Sequence, residues 1–395
     1  MSHLLTRPQA VRFLFAKQGL LGKRLFSGKN GVLDYVRQAG CVQFDPVDLC
    51  GKNADLTFQA RIQGYRPEWL SALLYEERKL IDFYDKNQSI LPLEDWSLME
   101  ESRDWFWENP RSREAVDGVR GFVKDEIRAR GPLCSRHLDL PEKVSWFWSD
   151  SALSRVALET MYYDGELIIH HKEGTIKHYA LTEDFVPESL RLGNDSRTPA
   201  ERRELRVLRR IGAVGLLWNR RSDAFLFLRG LDNDERDRIF SALEAQGKIA
   251  RIRVEGLKDD LFCRTEDLPL LETIASGGKR PSPRVEFLAP LDPMLWDRNL
   301  IRALSGFDYT WEIYTPAEKM KYGHYVLPVI WEDRFAGRIE CVRDRKNGVL
   351  ELRNLWFETD WKAPKAFAPA LAEALDRFAA FNGCATVSDP KKIRQ

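Results

Sequence analysis

Gln43-Phe44-Asp45 sets an amide and a carboxylate two residues apart, with an aromatic side chain between them. In extended backbone, residues i and i+2 point the same way, so Gln43 and Asp45 would share one face while Phe44 anchors the other. The following Pro46 disfavours helix and pushes Asp45 toward that extended geometry. A carboxylate beside an amide is a minimal apparatus for placing and polarising one water molecule. From three residues alone the plainer reading is stronger: Asp45 caps a local turn and Gln43 is merely exposed. What surrounds the tripeptide decides between them.

The chain has 395 residues, enough for two to four domains and a large core. Its 61 basic and 60 acidic residues give a net charge of +1, so any basic surface must be regional. The six cysteines (41, 50, 134, 263, 341 and 384) contain no C-x-x-C pair, which argues for reduced thiols in a cytosolic setting. The six histidines show no ligand spacing beyond adjacent His170-His171, so neither a metal site nor a cofactor is expected. The N-terminus lacks a signal-like apolar core, and no segment approaches membrane-spanning length. These features predict a cytoplasmic, soluble monomer with no membrane partner.

Along the chain, residues 1–112 read as helical. Pro8 suits the first turn of a helix carrying Ala10, Val11, Phe13, Leu14 and Phe15. A second helix starts near Asn30 and stops at Gly40, and Leu70, Leu73, Leu74 and Leu80 supply a further helical face. Between 113 and 195, a helix with Val119, Phe122, Val123 and Ile127 ends at Gly131-Pro132. Leu133 to Leu138 fits the turn and start of a second helix, and Ser151 can cap a third. A hairpin follows, Gly165 to Ile169 and Ile176 to Leu181, with a polar tip at His170 to Thr175. Three helices and a basic hairpin have the shape of a winged helix. Residues 196–282 repeat the rhythm: a helix after Pro199, another with Ile239 and Leu243, then alternating residues from Gly247. Residues 283–395 are strand-rich (Val326 to Ile330, Phe335 to Val342, Val349 to Phe357) and close with a helix bearing Leu371, Leu375 and Phe378. The predicted class is α+β: tandem winged-helix domains with a C-terminal β-rich domain.

Gln43-Phe44-Asp45, the wing-bearing middle region and several C-terminal blocks together carry a family resemblance. The blocks are Leu291-Asp292-Pro293-Met294-Leu295-Trp296-Asp297-Arg298, Gly306-Phe307-Asp308-Tyr309, Tyr314 to Lys319 and Tyr322-Gly323-His324-Tyr325-Val326-Leu327-Pro328. The chain resembles the bacterial winged-helix DNA glycosylases of the AlkZ and AlkX (YcaQ) group, which excise alkylated bases and unhook interstrand crosslinks. The family pattern is Gln, an apolar residue, then Gln or Asp. The Asp form places this chain nearer the AlkX side. One departure is that Lys86 stands where many relatives have His before a Ser-apolar-apolar-Pro stretch.

The resemblance implies a monofunctional glycosylase that hydrolyses the N-glycosidic bond of N7-modified purines in double-stranded DNA. Asp45 would stabilise the sugar cation and take a proton from water held by Gln43. Lys52, Asn53, Arg61 and Lys86 would hold the lesion strand. Arg136 and Arg155, with His170, His171, Lys172 and Lys177 on the wing, would face phosphates. Each of these also has an ordinary reading as a solvated or structural side chain. Trp105-Phe106-Trp107 and Trp146-Phe147-Trp148 read as core rather than as stacking platforms, and Asp297-Arg298 as an internal ion pair. The competing function is a non-catalytic winged-helix DNA-binding protein or transcriptional regulator.

Overall fold

The structure, a computed structural model, describes residues 3–108, 111–192, 196–278, 282–388 and the backbone of 392–394. It is a mixed α+β fold whose chain divides into two compact units. One comprises Met1–Leu70 and Arg203–Gln395; the other is Ser71–Arg202. Four consecutive domains would not place residue 5 beside residue 254, as the sheet of the first unit does. There the strand His3–Leu5 runs parallel to Ile249–Val254, which continues antiparallel to Leu261–Arg264 and on to Leu217–Trp218.

Local signals in the first unit act as the sequence suggests. Helix Arg7–Lys17 opens on a capping box, Thr6 bonding the Gln9 backbone while Gln9 reaches back, with Pro8 in the first turn. Helix Gly28–Ala39 starts two residues before Asn30 and stops at Gly40, whose φ of 74° is left-handed. It buries Val32, Leu33, Tyr35 and Val36 on one face.

The C-terminal sheet is the largest. Val285–Phe287, Val326–Trp331, Arg334–Asp344 and Val349–Phe357 form an antiparallel run, and Thr386–Val387 and Lys392–Arg394 add to it in parallel. Its longest strands pass so closely at Gly337 that a Cβ there would lie 2.0 Å from the Trp356 carbonyl oxygen. Helix Phe367–Phe381 covers one face through Phe378 and Ala374, with Leu371 and Leu375 partly buried alongside. Cys50 and Leu56 sit in this same apolar cluster, so the segment after Asp45 is packed on the sheet.

The second unit departs more from expectation. Leu80–Asp85 and Asn87–Pro92 form a hairpin, not an extension of the helical face. Leu70, Leu73 and Leu74 do lie on a helical stretch, but Arg78 at φ 52° breaks it, and Leu80 begins the strand. The 18-residue helix Arg113–Arg130 ends at Gly131 and buries Val116, Val123 and Ile127. Leu133 to Leu138 yields only a 3₁₀ turn, Ser135–His137. Ser151 caps nothing: it lies in the short strand Ser151–Ala152, and the next helix, Leu153–Tyr163, starts without a side-chain cap. Leu167–Glu173 and Ile176–Leu181 form the expected hairpin, closed by Gly174 (φ 62°) and Thr175. His170, His171 and Lys172 are therefore strand residues rather than the tip. Leu133 and Tyr179 add a backbone bridge to that hairpin.

The first unit contains a fully buried ion pair, Arg61 with Asp292, 231 positions apart in the chain and 2.7 Å between charged atoms. Arg61 also donates to the Gln18 carbonyl and side-chain oxygens and to the Thr57 carbonyl. Its guanidinium faces protein throughout, so the expected DNA contact is replaced by a structural role. Removing one partner would strand a buried charge, which costs about 3–5 kcal/mol. Arg61→Ala should lower the urea midpoint of the first unit accordingly. An unchanged midpoint with weaker DNA binding would return Arg61 to the surface.

Candidate active site

Val42–Gln43 is a two-residue strand at the end of the turn that follows helix Gly28–Ala39. Gln43 is buried at 4% exposure, not exposed as the plainer reading has it. Its carbonyl accepts a hydrogen bond from Asn53 Nδ2 at 2.8 Å, and Asn53 Oδ1 accepts the Leu291 N–H at 2.9 Å. Asn53 thus clamps the Gln43 strand to the Leu291-Asp292-Pro293 segment. With both ends of its amide engaged and 2% exposure, it positions the site rather than meeting DNA.

Asp45 lies in the irregular loop after the strand and is half-buried. One carboxylate oxygen accepts the Val47 N–H at 2.9 Å, so the turn-capping geometry is real. The other features are not those of a simple cap. Burial raises the Asp45 pKa above the ordinary carboxylate value, and the Val47 hydrogen bond lowers it only in part. Among the described residues, no cation enters that balance. The Asp45 charge in turn reaches Tyr325, whose phenol is held protonated chiefly by its burial, with Cys50 and Asp45 adding.

The loop is held from beyond Asp45. Asp48 accepts the Gly51 N–H at 3.0 Å and pairs with Arg343 at 2.7 Å and Arg345 at 3.2 Å. The Arg343 N–H reaches the Leu49 carbonyl, and the Tyr325 hydroxyl donates to the Gly51 carbonyl at 2.9 Å. Gly51 has φ 122°, and a Cβ there would meet the Phe381 ring at 2.9 Å, so only glycine fits the turn. Tyr325, Arg343 and Arg345 escaped the sequence reading as site neighbours. Tyr325 at least stands in a quoted block, whereas nothing local marks the two arginines.

Asp292 and Asp297 of the C-terminal blocks are buried and bonded within the protein, whereas Tyr314 to Lys319 lies largely exposed. Asp292 takes Arg61 and caps Met294. Asp297 caps the helix Arg298–Ser305 and accepts Trp218 Nε1 at 2.7 Å, while Arg298 lies over the Tyr309 ring. The expected Asp297-Arg298 pair is therefore two separate contacts. Glu312 accepts the N–H groups of Lys321, Tyr322 and Gly323, which hold its carboxyl below the usual range against the opposing effect of burial.

Lys52, partly buried, precedes helix Asn53–Gln59 in the first unit. The other expected DNA contacts belong to the second unit. Arg136 and Arg155 are exposed, Arg155 sharing an ion pair with Glu159 at 3.2 Å. Lys86 is buried at 5% exposure, and Lys172 is committed to Asp82 at 2.8 Å. Burial lowers the Lys177 pKa, its ammonium lying 5.8 Å from the centre of the Tyr162 ring. His170 is pushed down to about 4 by burial, with Arg78 and the neighbouring histidines adding, and His171 is lowered chiefly by burial too. Both are neutral at physiological pH, so the strand Leu167–Glu173 carries less charge than its composition suggests. Of the aromatic runs, Phe106 and Trp146 stack with Tyr163 but are only partly buried, and Trp107 and Phe147 are exposed, so the reading as core holds only in part. Trp148 is 97% exposed.

With this geometry in place, the comparisons are specific. Residues 36–381 match the family model described as DNA glycosylase AlkZ-like. Among solved structures the chain is similar to the Streptomyces sahachiroi DNA glycosylase AlkZ, with a TM-score of 0.61 and 16% identity over 100% of both chains. At that identity the likeness concerns the fold. Among the described residues, no helix is long and apolar enough to cross a membrane.

A carboxyl whose pKa is higher folded than unfolded favours the fold only while protonated. That contribution is present below the unfolded pKa and is lost as pH rises through the folded one. Asp45→Asn retains an acceptor for Val47 and removes the charge, so at pH 7 it should melt no lower than the wild type. Asp45→Ala, lacking the acceptor, should melt below Asp45→Asn. An Asn variant clearly less stable than wild type would contradict this account of the loop.

Proposed function

The chain belongs to the AlkZ-like DNA glycosylase family, and on that premise we propose that it hydrolyses the N-glycosidic bond of N7-alkylated purines with Asp45 as the general base. Alkylation at N7 makes the base a cation, so the C1′–N9 electron pair leaves onto the ring and neutralises it. No strong acid is needed for that departure. The sugar is left electron-poor, and an ionised carboxylate beside it stabilises the developing charge. Water then forms the O–C1′ bond while its proton passes to Asp45. The observation that carries this reading is the half-buried Asp45 carboxyl with a raised pKa, on a loop fixed at both ends. A carboxylate made more basic by burial is suited to accept a proton.

Gln43 supports the water through its amide, while Asn53 keeps the strand in place. Lys52, Arg136 and Arg155 contribute phosphate contacts that fix register without reading sequence. The segments 113–195 and 196–282 are read as winged helices, the wing being Leu167–Glu173 with Ile176–Leu181. Crosslinks joined through N7 fall within the same chemistry, because a base tied to the opposite strand can still lose its sugar if the site reaches C1′ in the duplex. The working compartment is the cytoplasm, on the nucleoid.

Single-turnover release of N7-methylguanine from duplex DNA tests the proposal. Asp45→Asn should reduce the rate by about 10²–10⁴-fold, the usual contribution of a positioned base, with Gln43→Ala reducing it less. In the wild type, activity should fall toward low pH with an apparent pKa above the ordinary carboxylate value, because Asp45 must be ionised. The product should be an abasic site with no borohydride-trapped DNA adduct. Wild-type rates in folded Asp45→Asn would remove the residue from the mechanism. Absence of base release by the wild type on any N7-alkylated duplex would favour a non-catalytic DNA-binding role.

A further inference from the structure

We propose that Cys134, His137 and His178 form a binding site for a zinc-class divalent ion in the second unit, independent of the Asp45 site. The Cys134 sulfur and one ring nitrogen from each histidine all lie within 4.8 Å of one another. A tetrahedral zinc with such ligands needs these atoms about 3.3–3.8 Å apart. His137 is the exposed member of the three, and its ring is the one with room to move. Sulfur with two imidazoles is the donor set that zinc prefers and that magnesium and calcium avoid.

The backbone prepares this arrangement from two directions. Cys134 and His137 lie at C-x-x-H spacing around the 3₁₀ turn Ser135–His137, where the His137 backbone N–H donates to the Cys134 carbonyl at 2.9 Å. Next to Cys134, Leu133 exchanges two backbone hydrogen bonds with Tyr179, at 3.1 and 2.8 Å, and this bridge sets the turn against His178. His178 sits beside a register shift in the hairpin, at which strands commonly re-aim a side chain.

The independent sign of a ligand is His178 itself. It is only 7% exposed, yet its Nε2 has no hydrogen-bond partner. The Glu173 carboxylate approaches Nε2 to 3.5 Å without completing a bond. A buried ring nitrogen left in that state carries a desolvation cost that a cation would remove. His171, directly opposite His178 in the hairpin, and Glu173 form a second triad with it. One of these, or water, fills the fourth position. His137 Nδ1 now accepts a 3.3 Å hydrogen bond from the Cys134 N–H, a long contact that gives way when the ring turns. The sequence reading sorted cysteines and histidines separately, and the mixed Cys134-x-x-His137 pair belongs to neither pattern.

The test uses the full-length protein stripped by a chelator and titrated with Co(II), then with Zn(II) in competition. One equivalent of Co(II) should bind with a thiolate charge-transfer band and the intense visible bands of tetrahedral coordination. Zn(II) should displace it and raise the melting temperature. Cys134→Ser should lose the charge-transfer band, and His178→Ala should weaken binding by at least about tenfold. Because Cys134 and His178 are buried, His137→Ala supplies an exposed variant expected to weaken binding by a similar factor. Failure to bind a stoichiometric ion, a thiolate band that survives in Cys134→Ser, or wild-type affinity in His137→Ala would overturn the proposal.

Discussion

A guanidinium sealed from water fixes the geometry of the first unit. Arg61 is fully buried, and its charge can be tolerated there only beside Asp292. That requirement joins the helix Asn53–Gln59 to a segment more than two hundred residues away. Asn53, at the start of the same helix, then spans from the Leu291 N–H to the Gln43 carbonyl. The strand carrying Gln43 is thereby referenced to the buried charge pair through a short run of directional bonds. Asp45 follows it by two residues, and the Tyr325 and Arg343 contacts close the loop from the other side.

Two carboxylates on this loop have been given opposite environments. Asp48 is paired with two arginines and bonded to a backbone N–H, so its charge is spent on structure. Asp45 has one N–H partner and a burial penalty. A lysine or arginine beside Asp45 would lower its basicity. The loop keeps its cations three residues away, on Asp48. Separating a structural acid from a basic one by environment is the general way one fold assigns roles to identical side chains.

The sequence revealed those elements whose signals are local. The first-turn Pro8, the stop at Gly40, the long C-terminal strands and the Gly174 turn each need only neighbouring residues, and each was legible. Leu80–Asp85 was not, because Leu80 falls in helical phase with Leu70, Leu73 and Leu74, and the break depends on the left-handed Arg78. Gln43 and Asp45 were visible as chemistry, whereas their support was not: Asn53 and Arg61 resemble any polar and basic pair near a strand. Only folding shows that both point inward. The discontinuity of the first unit is likewise invisible to a linear reading, since its cause is the pairing of His3–Leu5 with Ile249–Val254.

Charge in the second unit carries a similar lesson, with consequences for DNA. A cation serves a phosphate only if its present partner can be given up cheaply. Lys172 is 14% exposed and Asp82 7%, so separating them would strand a largely desolvated carboxylate. Arg155 is 58% exposed, and its pair with Glu159 is of the surface kind, worth about 0–1 kcal/mol. A phosphate can therefore displace Glu159 at little cost, while it cannot recruit Lys172 without undoing the contact between the wing strand and the Leu80–Asp85 strand. Arg136 and Arg155 are accordingly exposed cations of this unit that no deeply buried partner holds. The lysines and histidines that make the hairpin look basic in sequence serve mainly to hold it together.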